Sequence, residues 1–491
     1  LSLSQALARP LVQMHHRSEY KSFRSAFGVC SAIEDGKTWQ EAKQQVKALD
    51  QSATVSITIF NLTKSFVGST VLAAPDALQY AGSVPVFLLL MVLNVLVHTT
   101  IYFLMTLGCA RAGAKSYREW WIVVNSGRGV IVLDCLLFVN GLSSLIAYVI
   151  LIGDFLTKSL QGLFPSTSWL HYRSANIWFA TLAALLPLSL QRDLSSLGSV
   201  SKLGLLCALY SALFMVADFI SSGPRPLLEA LSSSAFVEAR AEPMSAFAIL
   251  MSAAGSEVLT PRLYAELKDG TPWKYASASL VAEILAHCFY LVFGLVGYAR
   301  FGPSPSRLDG NVLANYSEGT VWELLAWMGM AVNVVAMYPL QIAPVRDSAL
   351  GLARAACGWE VHQDNDEKVV ARAHCESREF FTCTLLLVFF SVICAWQGVA
   401  LSSINLAKGV FIMPMLCFVI PMLLYRKTVA IESGGDWTLK ITWFLLAIGL
   451  AIMLDGPYEL VVNHNAQVPV RAAQPRIKVE SVPHMSFRNL P

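Results

Sequence analysis

About eleven stretches of this 491-residue chain are apolar and long enough to cross a lipid bilayer. A crossing helix needs roughly 20 such residues, and no other demand on a chain narrows its fold so far. The stretches lie near 56–80, 83–107, 129–157, 175–191, 201–221, 243–261, 276–301, 320–344, 379–396, 400–425 and 438–456. The polar run QRDLSSLGS (191–199) separates the fourth from the fifth. Lipid offers no partner to free backbone groups, so spanning segments of this length are helices. The expected fold is an all-α integral membrane bundle.

Residues 1–54 form a polar tail, in which TWQEAKQQVKAL (38–49) has the pattern of a short amphipathic helix. The core is expected over 55–425, a last span over 426–457 and a second tail over 458–491. Only 14% of residues are charged and the formal net charge is +3, which gives no signal for nucleic acid. The ten cysteines show no CxxC or Cys/His ligand spacing, so no metal site and no cofactor is expected. No nucleophile–base set stands in the loops, and an enzyme is not the expected reading.

Lysine and arginine favour cytoplasmic loops. With the N-terminus inside, the inner loops collect most of them, including Arg111, Lys115, Arg118, Arg262, Lys268, Lys274, Arg346 and Arg354. That orientation puts the sequon Asn315-Tyr316-Ser317 outside, where glycosylation occurs. The plasma membrane and an endomembrane such as the vacuole both fit.

Two spans carry nearly the same phrase. Residues 67–75 read VGSTVLAAP and residues 254–261 read AGSEVLTP. Gly68 and Gly255 let the backbone leave helical angles, Ser69 and Ser256 can bond the groups this frees, and Pro75 and Pro261 weaken the helix nearby. An opened helix at mid-membrane offers amides, carbonyls and two helix ends with partial charges, which suits a zwitterion. The phrases fall on spans 1 and 6. An offset of five is what an inverted five-plus-five repeat would give, here over about 56–221 and 243–425. Thr70 in the first phrase stands where Glu257 stands in the second.

Several marks, in order along most of the chain, resemble the amino acid/auxin permease family of transmembrane amino acid transporters, part of the amino acid–polyamine–organocation group. They are FNLTKSFVGSTVLAAPDALQYAG (60–82), LLPLSLQRDLSSLGSVSKLGLL (185–206), AGSEVLTPRLYAELKD (254–269), VGYARFG (296–302) and YPLQIAPVRD (338–347). The chain departs from the family at Ser69-Thr70, where a second glycine is usual, and at Asp76, where an aromatic is common. The resemblance implies a leucine-transporter-like fold with broken spans 1 and 6. It implies secondary active transport of amino acids, with a midplane site walled by spans 1, 3, 6, 8 and 10.

Ionisable groups inside a bilayer are costly and ask for a partner or a task. Lys64 lies one turn before Gly68. Its ammonium can stand in for a sodium ion and brace spans 1 and 8, as the resemblance to proton-coupled members implies, or it can snorkel to the interface. Glu257 follows the second break and is the proton-carrier candidate. Glu283 and His287, four apart on span 7, can relay protons or satisfy each other. His98 and Lys408 look isolated, and Asp134, Asp154 and Asp218 read as packing or capping residues. Asn140, Ser143, Ser144 and Tyr148 make a polar stripe on span 3, and Asn333 and Tyr338 are similar on span 8.

The expected function is therefore proton-coupled transport of amino acids by alternating access. Gly68, Ser69, Thr70, Asn140, Ser144, Gly255 and Ser256 are expected at the substrate, and Lys64, Glu257 and Asn333 at the coupling ion. Two alternatives stay open. One is a sensor of the same fold that signals through the 1–54 tail or the 346–378 loop. The other is a sodium-coupled carrier.

Overall fold

The computed structural model describes residues 53–164, 168–191, 197–221, 242–301, 311–316, 319–357, 366–397, 408, 412–432 and 438–454. The tail helix expected at 38–49, the C-terminal tail and most of the start of span 10 lie outside them.

Span 1 is α1 (Val55–Phe66), a 3-10 turn (Ser69–Ala73) and α2 (Ala74–Ala81), with a 46° bend between the halves. Span 2 is α3 (Val84–Ala112). A short α4 (Tyr117–Asn125) leads to span 3, α5 (Val130–Leu163). Span 4 is α6 (Arg173–Ala180), a π-turn (Thr181–Leu185) and α7 (Leu186–Ser189). Span 5 is α8 (Gly198–Ser221), and span 6 divides into α9 (Pro243–Ala254) and α10 (Thr260–Glu266). Spans 7, 8 and 9 are α11 (Pro272–Phe301), α12 (Val321–Ala356) and α13 (Asp366–Trp396). The described part of span 10 ends in a π-turn (Met415–Val419) and α14 (Ile420–Glu432), and α15 (Thr438–Leu454) follows.

Among the described residues six unbroken helices are long and apolar enough to cross a membrane: α3, α5, α8, α11, α12 and the Arg378–Trp396 part of α13. The bent α1–α2 pair makes a seventh. The expected 346–378 loop is shorter than its charges suggested. Span 8 stays helical to Ala356 and span 9 is helical from Asp366. Arginine, lysine and glutamate have good helix propensity, so a charged stretch can continue a helix.

These helices are built inside out. On α3, Leu89, Val92 and Leu96 are each 57% exposed, whereas Asn94, His98 and Tyr102 are fully buried. On α11, Val281, Ile284 and Leu285 face outward while Glu283 is buried. Apolar faces outside and polar residues within suit a lipid solvent, where hydrocarbon surface costs nothing to expose and every polar group needs a partner. The chain is a multi-pass integral membrane protein.

The most extensive helix pairing is α5 against α12, followed by α8 against α12. Helix α11 packs on α1, α2 and α3, so long helices hold the two broken spans from several sides. The broken spans themselves run in opposite directions. The second half of span 1, α2, packs on the first half of span 6, α9. Glu242 N–H donates to Tyr80 O at 2.8 Å where these halves meet at one end. At the other end Ala53 N–H donates to Glu266 O at 3.0 Å, and Lys268 N–H donates to Ala53 O at 2.9 Å.

Candidate functional site

Both breaks fall where the repeated phrase stands. Span 1 leaves helical angles at Val67 (φ −88°, ψ 65°) and Gly68 (φ −100°, ψ −144°). Span 6 leaves them at Gly255 (φ −71°, ψ 71°). No glycine here takes a positive φ, so at Gly255 the demand is for space. A β-carbon there would stand 2.1 Å from Met413 Cε. The prolines act differently from the sequence expectation. Pro75 and Pro261 sit in the first turns of α2 and α10, where a missing amide costs no helix bond. They start the second halves rather than weaken the first.

The carbonyls freed at the end of α1 are capped by side chains. Val67 O accepts from Lys64 Nζ at 3.3 Å and from Asn333 Nδ2 at 3.1 Å. Phe66 O accepts from Tyr290 Oη at 3.0 Å, and Tyr290 Oη also bonds Thr70 Oγ1 at 2.7 Å. Lys64 is fully buried, so it does not snorkel to the interface. Its stem lies against Gly204 of α8, which provides the room. The Lys64 ammonium thus bonds within its own span, and the hydrogen bond between spans 1 and 8 at this carbonyl comes from Asn333.

The second break is tied to the first. Ser256 Oγ donates to Ser65 Oγ at 2.7 Å, and Ser65 Oγ donates to Leu62 O at 2.7 Å. Ser256 N–H reaches Tyr102 Oη of span 2 at 3.3 Å. Glu257 is fully buried, with Oε1 2.7 Å from His98 Nδ1 and Oε2 accepting from Cys417 Sγ at 3.1 Å. His98 is thus not isolated.

The sequence profile described as transmembrane amino acid transporter protein matches residues 51–462. The chain belongs to that family. Among its relatives, the putative sodium-coupled neutral amino acid transporter 10 of Xenopus laevis is 24% identical over 409 residues, covering 82% of this chain and 36% of that protein. The putative sodium-coupled neutral amino acid transporter 11 of Danio rerio is 26% identical over 299 residues, covering 60% of this chain and 65% of that protein. The chain thus spans about a third and about two thirds of the lengths of these two relatives. The crystal structure of MhsT in complex with L-phenylalanine is similar at a TM-score of 0.56 with 12% sequence identity, over 82% of this chain and 98% of that one. This family member has a leucine-transporter-like fold, with broken helices at spans 1 and 6.

Other residues of this transporter-family chain fall partly as expected. Gly68, Thr70, Gly255, Ser256, Lys64, Glu257 and Asn333 gather at the breaks, and Ser69 opens the 3-10 turn beside them. Asn140 and Ser144 are buried on α5, where Ser144 Oγ accepts from Lys408 Nζ at 2.7 Å. Lys408 therefore joins span 10 to span 3. Ser143 turns back to Val139 O of its own helix, and Tyr338 bonds Ser391 of α13 at 2.8 Å rather than facing the breaks. Asp134, Asp154 and Asp218 pair with Arg118, Arg173 and Arg300 at 2.9, 2.6 and 2.9 Å.

Sequence reasoning missed Ser65, Tyr102 and Tyr290. Their signal was position alone. Ser65 lies one turn before Ser69, and Tyr102 lies one turn beyond His98 on the polar face of span 2.

Proposed function

We propose that this chain carries amino acids across a membrane by alternating access, with the paired breaks of spans 1 and 6 as the binding site. The observation that carries this reading is the central tie between Ser65 and Ser256, which brings two opened helices together inside a multi-span bundle. A zwitterion fits such a place. Its carboxylate is suited to the amides that begin the turn after Gly68, and its ammonium to the carbonyl end of α9. Asn140 and Ser144 of span 3 are suited to line the substrate. Neutral amino acids are the substrate class named for the relatives above.

Sodium is the favoured coupling ion, because the same relatives are named as sodium-coupled. This reverses the sequence preference for the proton. The proton stays as the second reading on one observation. The Lys64 ammonium already sits on Val67 O, so a sodium ion using that carbonyl would have to displace it. We place the N-terminus in the cytoplasm on the lysine and arginine bias alone.

Uptake of labelled neutral amino acids into proteoliposomes tests the proposal. Accumulation driven by a sodium gradient at equal pH is the expected result. Accumulation that needs a pH gradient and ignores sodium transfers the coupling to the proton. Binding without uptake under either gradient overturns transport and leaves the sensor.

A further inference from the structure

Spans 2 and 7 face each other with polar stripes that the transport site does not explain. Helix α3 sets Asn94, His98 and Tyr102 on one face at four-residue spacing, and α11 sets Glu283, His287 and Tyr290 toward it. His287 Nε2 bonds Asn94 Oδ1 at 3.1 Å. His287 Nδ1 bonds Glu283 O at 2.8 Å and stands 3.5 Å from Glu283 Oε2. One turn along α3, His98 meets Glu257 at 2.7 Å. We propose that His98, Glu257, Glu283 and His287 form one buried proton-binding site whose occupancy controls the opening of the span 6 break.

Several buried polar atoms of this cluster lack partners. His98, Glu257 and Glu283 are fully buried and His287 nearly so. Both carboxylate oxygens of Glu283 and Nε2 of His98 have no hydrogen-bond partner, and Oε1 of Glu257 faces only His98 Nδ1. Among the described residues no lysine or arginine comes within ion-pair distance of either carboxylate. A buried ionised carboxylate without donors costs several kcal/mol. Two near each other cost more, since each also repels the other's charge. Adding a proton from water to a carboxylate oxygen or an imidazole nitrogen removes that penalty. Releasing it restores the charge, and no other bond changes.

Other titratable groups face the cluster without neutralising it. Tyr102 comes from α3, Tyr275 and Tyr290 from α11, and Tyr117 from α4. Cys417 comes from span 10, with Lys408 behind it on Ser144. Cys109 lies further along α3. Lys64 is held at Val67 O, at the break of the other span.

The cluster also touches both breaks. Glu257 follows Ser256, whose hydroxyl holds Ser65 and whose amide holds Tyr102. Tyr290, on the same face of α11 as His287, holds Phe66 O and Thr70. A change of charge at the four residues therefore acts on the bonds that fix the opened backbone.

The proposal rests on the transport reading for its effect but not for its existence, and the test keeps these apart. Infrared difference spectra of the purified full chain, taken across a pH step without substrate, read buried protonated carboxyls directly. A protonated-carboxyl band that titrates in the wild type, and that shrinks in both Glu257→Gln and Glu283→Gln, is the expected result. No such band in the wild type, or a band unchanged in both variants, overturns the site. In proteoliposomes, wild-type uptake is expected to vary about tenfold between about pH 5 and pH 8, and Glu283→Gln to flatten that profile. A Glu283→Gln profile that matches the wild type overturns the coupling to span 6. If the band titrates in protein that moves no amino acid, the transport reading fails and the proton site stands.

Discussion

Ser256 Oγ donates to Ser65 Oγ across 2.7 Å, which pins the centres of two helices that run in opposite directions. Their ends are tied as well, by Glu242 to Tyr80 on one side and by Ala53 to Glu266 and Lys268 on the other. The broken spans are thus fastened at three levels, and each fastening is a place where movement can begin.

The central tie is worth one hydrogen bond. Ser65→Ala is expected to lower unfolding free energy by about 1 kcal/mol, since both serines are buried. Thermal unfolding in detergent measures this. Uptake should fall by more than the stability loss explains, because Ser256 then loses its anchor. Unchanged uptake would show that the tie is structural alone.

Lys64 and Gly204 form a matched pair. A β-carbon at position 204 would lie 2.8 Å from Lys64 Cε and 3.0 Å from Ala336 Cβ. Gly204→Ala should therefore cost about 1–3 kcal/mol, as overpacking does. Chemical or thermal denaturation checks the magnitude.

Lys64→Met keeps much of the volume and removes the ammonium from Val67 O. If sodium competes for that carbonyl, the variant should bind sodium about tenfold more tightly, a gain of about 1.4 kcal/mol. Sodium titration of uptake is the measurement. An unaltered sodium dependence would place the ion elsewhere.

Tyr290 serves both Phe66 O and Thr70 Oγ1. Tyr290→Phe leaves a buried carbonyl without its donor and should cost about 1–3 kcal/mol. Thr70→Val after Tyr290→Phe should cost less than Thr70→Val alone. A double-mutant cycle on unfolding free energy reads that difference.

The Arg262–Asp347 pair joins α10 to α12 at 3.0 Å, but both side chains are more than a quarter exposed. Water and salt screen such a pair, so its coupling energy should stay below about 1 kcal/mol and fall as salt rises. A cycle of Arg262→Gln and Asp347→Asn at two ionic strengths tests this. A larger, salt-insensitive coupling would mean that the pair is shielded in another conformation.

Much of the bundle was legible in the sequence because a bilayer imposes a one-dimensional rule. Apolar length alone marks α3, α5, α8, α11 and α12. The break in span 1 was legible from Gly68, and that in span 6 from Gly255, since the phrase repeats at spans five apart. Span 4 was less so. Its π-turn at Thr181–Leu185 is a matter of backbone bonding that composition does not announce.

The sequence by itself determined a membrane bundle, two interrupted spans and a family, because these depend on local composition and on residues close together in the chain. Only the tertiary structure decided who partners whom. His98 and Glu257 stand far apart along the chain and 2.7 Å apart in the fold. Lys408 reaches Ser144 from 264 residues further along the chain, and Asn333 shares Val67 O with Lys64. Inside lipid a polar side chain must find a partner within the protein, and that partner is set by which helices pack together. Helix packing joins residues of any separation, so a reading along the chain could place Glu257 at the break but not His98 beside it.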